Sequence, residues 1–281
     1  MDIRIVMAPL RGAPADRHLL DVAHMVAKRF GAHVTALHIE LSDAWVIASL
    51  GDGISEWNIH DAFNRRAQET KHARAIFDDW IAANRLEEGA PADGGAASFQ
   101  VAEGFEVRAF PVRARYADLV VLSNPTDVGV HHLDVTLEVA SLLQGGCPML
   151  IVPPHTIASI GHKVAVAWDA SAEAARAVRH AMPFLERAAQ VHVMTVREHG
   201  IDEREALRLV DYLAVHGVAA SSMALRPKHG VGSTLLEAAA QTGCDLMVLG
   251  AFHHSHLREA ILGGTTERAL HRADIPLLMS H

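Results

Sequence analysis

The sequence predicts an α/β protein made of two doubly wound parallel-sheet domains in tandem. Three observations carry that prediction. Short apolar runs of strand length alternate with longer segments of helical period, and this alternation implies parallel pairing through right-handed crossovers. The chain also repeats itself: Ala117-Asp118-Leu119-Val120-Val121-Leu122 recurs as Cys244-Asp245-Leu246-Met247-Val248-Leu249, and Cys147-Pro148-Met149-Leu150-Ile151 recurs as Asp274-Ile275-Pro276-Leu277-Leu278-Met279. Finally, 281 residues of which 50% are apolar and 21% charged suffice for two buried cores. The expected domains span residues 1–153 and 160–281, joined by a linker from Pro153 to Gly161.

In the first repeat, residues 3–9 read as a buried strand. A helix over 16–30 places Leu19, Ala23, Val26 and Phe30 on one face and stops at Gly31. A strand follows at 34–39, and residues 41–54 fit neither period. The next helix covers 56–84, with Phe63, Ala67, Ile76 and Trp80 as its apolar positions. A glycine-containing loop at 91–97 leads to a strand at 98–101. A helix at 108–115 is weakened by Pro111, and strands at 117–122 and 148–152 end the unit.

The second repeat is cleaner. Its first strand runs over 162–168. Ser171 is placed to cap a helix with Glu173 in its first turn, and Ala174, Val178, Met182 and Leu185 form the buried stripe. A strand at 191–196, a helix at 202–215 closed by Gly217, a strand at 219–225 and a helix at 233–242 follow. The strand 245–249, a loop, a helix from Glu267 and a final strand complete the repeat.

Composition narrows the partners. Net charge is -8 with a pI near 6.2 and no basic block, which disfavours nucleic acid and anionic membrane. No apolar run approaches the ~20 residues of a membrane span. Met1-Asp2-Ile3-Arg4 leads straight into a strand, which argues against a signal peptide. Cys147 and Cys244 have no zinc or redox spacing, so a reducing, cytoplasmic setting is expected. The twenty histidines have no reason in the fold class alone.

The stretch from Leu246 to Thr266 carries the chemistry. A short apolar run ends in Gly250, a histidine-rich loop follows, and Gly263-Gly264-Thr265-Thr266 precedes a helical segment. Glycines and hydroxyls at a helix start leave backbone N–H groups open to phosphate oxygens. This frame, Gly250-x2-His253-x9-Gly263-Gly264, resembles the G-x2-G-x9-G-S/T motif of the universal stress protein family. His253 stands where the family has a glycine, and Gly264 where it has Ser or Thr. The resemblance implies strand order 3-2-1-4-5 and a ligand crevice where the first and fourth strands end.

It further implies that Asp169 contacts the adenosine part and that the backbone of Thr195 and Val196 lies beside the purine. Leu249, Gly250 and Phe252 border ribose and phosphates, and Gly263, Gly264 and Thr265 offer N–H groups to phosphate. Ala167, His253 and Thr266 complete the implied set. His253 could fill phosphate space or, protonated, pair with a phosphate. The implied ligand is ATP or ADP, with no metal beyond Mg accompanying the nucleotide, and the implied edges that meet are Met149–Val152 and Leu277–Met279, as in a homodimer through the last strands.

Three alternatives stay open at this point. The crevice could be empty of ligand and the chain an interaction module. His253, His254 and His256 could join His199, His229 or His281 around a metal, although H-H-x-H is no established zinc spacing. Catalysis is the least supported, because G-x-x-x-x-G-K-[ST], G-x-S-x-G and H-E-x-x-H are absent and no G-x-G-x-x-G follows either first strand. Some relatives hydrolyse ATP slowly, but the expected role here is binding without turnover. The first repeat reads as degenerate: Pro9-Leu10-Arg11-Gly12 ends its first strand without an acid, Ser123-Asn124-Pro125-Thr126 lacks the glycine, and Gln144-Gly145-Gly146 precedes a strand.

Overall fold

The computed structural model describes residues 2–42, 56–91, 95–124, 141, 144–196, 203–227, 230–251 and 273–281. The chain falls into two compact units, one built on Ile3–Leu122 and one on Pro148–His281.

The first unit runs β1 (Ile5–Pro9), α1 (Asp16–Phe30), β2 (His33–Glu40), α2 (Glu56–Asn84), β3 (Ala97–Glu103), α3 (Glu106–Ala114) and β4 (Leu119–Ser123). Its strands are parallel in the order β3-β2-β1-β4, with Val6 level with Val34 on one side and Leu119 on the other. Val6, Ala8, Val34, Ala36 and Val120 are fully buried, so these runs are apolar without alternation, as expected of strands covered on both faces. Gly31 takes the left-handed conformation that ends α1, at φ 66°.

The buried face of α2 differs from expectation. Ala73, Phe77 and Trp80 are buried, whereas Ala67 is exposed and Ile76 only half-buried. Thirteen residues at 100° each turn Ala67 about 140° away from Trp80, so the two never shared a face. The aromatic ring of Phe77 packs on Trp80 and Phe99 and sets the face, and the Trp80 indole donates to Asp21 Oδ1 at 3.0 Å.

Two of the histidines find a structural use here. His33 bonds the Gly95 carbonyl at 2.7 Å and the Ser98 hydroxyl at 2.9 Å, tying β2 to the start of β3. His38, also buried, joins the Leu10 carbonyl at 2.8 Å to the Thr70 hydroxyl at 3.0 Å, so one ring links the ends of β1 and β2 to α2.

The second unit contains β5 (Met149–Val152), β6 (Lys163–Ala167), α4 (Ala172–Leu185), β7 (Gln190–Val196), α5 (Glu203–Val215), β8 (Ala220–Leu225), α6 (Val231–Thr242), β9 (Leu246–Gly250) and β10 (Leu277–Ser280). The parallel order β8-β7-β6-β9-β10 is 3-2-1-4-5. Ala174, Val178, Met182 and Leu185 are all buried along α4. Beyond β10 lies β5, antiparallel to it, with Leu277 opposite Ile151 and Met279 opposite Met149. The last strands of the two repeats therefore meet inside one chain, and β10 is paired along both edges.

An aspartate does the same job in each repeat. Asp118 Oδ2 accepts the Arg4 and Ile5 N–H groups at 2.8 and 2.9 Å. Asp245 accepts the Lys163 N–H at 2.9 Å and the His162 N–H at 3.2 Å. In both cases the carboxylate at the start of the fourth strand fixes the start of the first.

Both cysteines are buried and free. Burial, helped by Asp118, pushes the Cys147 thiol up to about 12, and burial also raises Cys244. At pH 8 roughly one Cys147 in 10⁴ is a thiolate. A disulfide thiol reagent is expected to label neither cysteine in the folded protein and both after denaturation; rapid labelling of the native chain would contradict this placement. Among the described residues, no helix is long and apolar enough to cross a membrane.

Candidate functional site

The order 3-2-1-4-5 puts β6 beside β9, at the point where the strand order reverses. Val164 is level with Leu246 and Val166 with Val248, so the carboxyl ends at Ala167 and Gly250 lie together. Ala167 and Gly250 are both half-buried there. The ladder continues one residue past β6, where the Trp168 N–H reaches the Met194 carbonyl at 2.9 Å.

Asp169 is exposed at this mouth. Its Oδ1 accepts the Ser171 N–H at 3.0 Å across Ala170, which adopts φ 61°. Ser171 is buried, and its hydroxyl accepts the Ala174 N–H at 3.1 Å, the expected cap of α4. One carboxylate oxygen thus shapes the turn. Among the described residues, the other has no hydrogen-bond partner.

Gly250 is glycine for a packing reason. A Cβ there would stand 2.4 Å from the Ala174 nitrogen and 2.6 Å from the Glu173 carbonyl carbon. The first turn of α4 therefore rests directly on the end of β9. Val196 and Leu249 are buried, Val196 level with Leu225 and Leu249 level with Met279, so their side chains belong to the core and only their backbone borders the mouth. His180 on α4 bonds the Ser280 hydroxyl at 2.8 Å, and burial, with Arg176 and Arg179 nearby, lowers its pKa.

Phe252, His253, Gly263, Gly264, Thr265 and Thr266 lie outside the described residues, as do His199, His229, His254 and His256. His281 donates from Nδ1 to the Ala251 carbonyl at 3.2 Å. Among the described residues, no group of three or more His, Cys, Asp or Glu is arranged to hold a metal.

The first repeat holds a residue that sequence reasoning missed. Asp16, at the start of α1, turns back so that its Oδ2 accepts three consecutive N–H groups, from Arg11 at 2.8 Å, Gly12 at 2.7 Å and Ala13 at 3.1 Å. Three such donors form a concavity for an anion, and here the chain's own buried carboxylate fills it. Burial pushes the Asp16 carboxyl up, against the three N–H bonds and the Arg11 charge that pull it down. The signal in the sequence was an Asp four residues after Gly12, at the start of the expected helix. Arg11 itself pairs with Glu106 at 2.9 Å.

Comparison with known proteins agrees with this architecture. Residues 161–281 match the universal stress protein family. The whole chain is similar to a universal stress protein from Archaeoglobus fulgidus DSM 4304, with 14% identity, 99% of this chain and 96% of that one covered, and a TM-score of 0.74. It is also similar to a functionally unknown protein from Pseudomonas aeruginosa PAO1, with 17% identity, 99% and 92% covered, and a TM-score of 0.58. A universal stress protein solved in complex with cAMP matches 56% of this chain and 100% of its own at 16% identity and a TM-score of 0.38. No curated protein matches the sequence. The likeness to solved structures, at such identities, is one of fold. Residues 161–281 thus match the model of the universal stress protein family, and the chain as a whole has the fold of a solved universal stress protein.

Proposed function

We propose that this protein binds an adenine nucleotide, ATP or ADP, at the carboxyl end of the sheet in its second unit, and that it acts as a stress-response sensor or carrier without strong catalysis. The observation that carries the reading is the meeting of Asp169 and Gly250 at the switch point, with one Asp169 oxygen unbonded among the described residues. That oxygen can accept from a ribose hydroxyl or an adenine amino group. The reading keeps Phe252, His253, Gly263, Gly264, Thr265 and Thr266 as the phosphate side of the site and places the protein in the cytoplasm. The first unit is read as taking no nucleotide, because β1 ends in Pro9-Leu10-Arg11-Gly12 without an acid to match Asp169 and Asp16 fills that turn from within.

ATP or ADP at about 100 times its Kd is expected to add about 2.7 kcal/mol to stability, seen as a rise in Tm. Asp169→Ala and Gly263→Val are each expected to remove that rise. A Tm that ignores millimolar nucleotide ends the proposal.

A second reading, an interaction module without ligand, is favoured by one fact: Asp169 and Gly250 both have structural work, the turn at Ala170 and the seat of α4. Equilibrium dialysis with no nucleotide retained at millimolar concentration would select it. A homodimer through the last strands would require them to exchange partners between chains, since β10 already lies between β9 and β5. Sedimentation of the full chain reads that exchange.

A further inference from the structure

Trp168 stands between Ala167, the last residue of β6, and Asp169. Its backbone N–H keeps the strand ladder to Met194. Continuing the register of Val164 with Leu246 and Val166 with Val248 by two places sets it level with Gly250. It therefore stands at the junction of β6 and β9, where the sheet opens. The ring is half-buried, yet its Nε1 is fully buried and has no hydrogen-bond partner among the described residues.

A buried donor left without an acceptor is rare in folded proteins and destabilising. Tryptophan has one donor only, so nothing else on the side chain compensates. The buried indole of Trp80 has the usual solution, an acceptor in Asp21 Oδ1. A phenylalanine at 168 would fill most of the same space without an orphaned N–H. The residue is half-exposed at this mouth, so an acceptor entering there reaches the N–H by displacing the atoms that cover it.

We infer that the Trp168 indole N–H donates to an acceptor atom of the bound nucleotide, a ring nitrogen of the base or a ribose oxygen, next to the Asp169 carboxylate that accepts from it. The inference rests on the nucleotide reading above and deepens it. Adjacent donor and acceptor groups select a ligand that presents an acceptor beside an amino or hydroxyl donor, which a nucleoside does and inorganic polyphosphate does not. Trp168 is thus a specificity residue for the nucleoside, independent of the phosphate loop.

The test uses the full chain labelled with ¹⁵N at its four tryptophans, Trp45, Trp57, Trp80 and Trp168. Trp168→Phe identifies the Trp168 indole signal by its loss. On addition of ATP that signal is expected to move downfield and to exchange more slowly with solvent, while the Trp80 signal stays in place. Trp168→Phe is expected to bind ATP about tenfold more weakly, with the Tm of the unliganded protein little changed, and tripolyphosphate is expected to leave the Trp168 signal unmoved. If ATP binds the wild type but the Trp168 signal does not respond and Trp168→Phe binds equally well, the inference is overturned and the nucleotide reading survives. If ATP fails to bind the wild type at all, both fall together.

Discussion

Gly250→Ala is expected to lower stability by about 3 kcal/mol, the upper part of the range for forcing an extra methyl into a packed site. For a chain of this size that reads as roughly 6–12 °C in Tm. The added Cβ would meet backbone atoms, the Ala174 nitrogen at 2.4 Å and the Glu173 carbonyl carbon at 2.6 Å, and a helix backbone cannot turn aside as a side chain can. The start of α4 must then lift from β9, taking the Ser171 cap and the Asp169 turn with it. Nucleotide affinity is expected to fall together with stability. Gly217→Ala is the control: that glycine has φ 77° and open space around its missing Cβ, so it loses only the ~1–2 kcal/mol of a left-handed residue. Thermal unfolding of the two variants separates the causes, and a Tm for Gly250→Ala within a degree of wild type would mean that α4 does not press on β9.

Asp16→Ala is expected to cost about 3 kcal/mol, because three N–H groups around a buried position lose a charged acceptor at once. Asp16→Asn keeps one acceptor oxygen in the same place and is expected to cost about 1 kcal/mol. Chemical denaturation of the three proteins gives the ranking directly. Equal stability of wild type and Asp16→Ala would show that water replaces the carboxylate without loss. The comparison also bears on function, since Asp16→Ala would leave three neighbouring N–H groups that an anion could use.

Most of the architecture was legible because each device that makes it is local. The bounds of α1 follow from an apolar face and Gly31, and the start of α4 from Ser171. The duplicated Asp118 and Asp245 signalled equivalent strand starts, and both proved to clamp them. What was misread depended on rotation or on reach. Ala67 was grouped with Trp80 although helical geometry sets them on different sides. Asp16 was invisible as a ligand of the loop before it, because its reach backwards is fixed only once the chain bends at Gly12, φ 78°. Asp169 and Gly250 stand at the ends of the strands that the alternation predicts, and each has a structural role that no motif announces. Trp168 belongs to no motif, and an orphaned N–H can be seen only when its neighbours are in place.

The antiparallel seat of β5 against β10 has a consequence for biosynthesis. During translation β5 emerges well before β10, with the whole of the second repeat's helices and parallel strands made between them. The apolar sequence of β5, Met149-Leu150-Ile151-Val152, must wait until β10 has been made before this edge can close. Such a distant pairing is slow to form and leaves a sticky strand in the open meanwhile. Fusing the two repeats thus secures their meeting at the expense of a vulnerable interval in every round of synthesis, the interval in which a chaperone would find this protein.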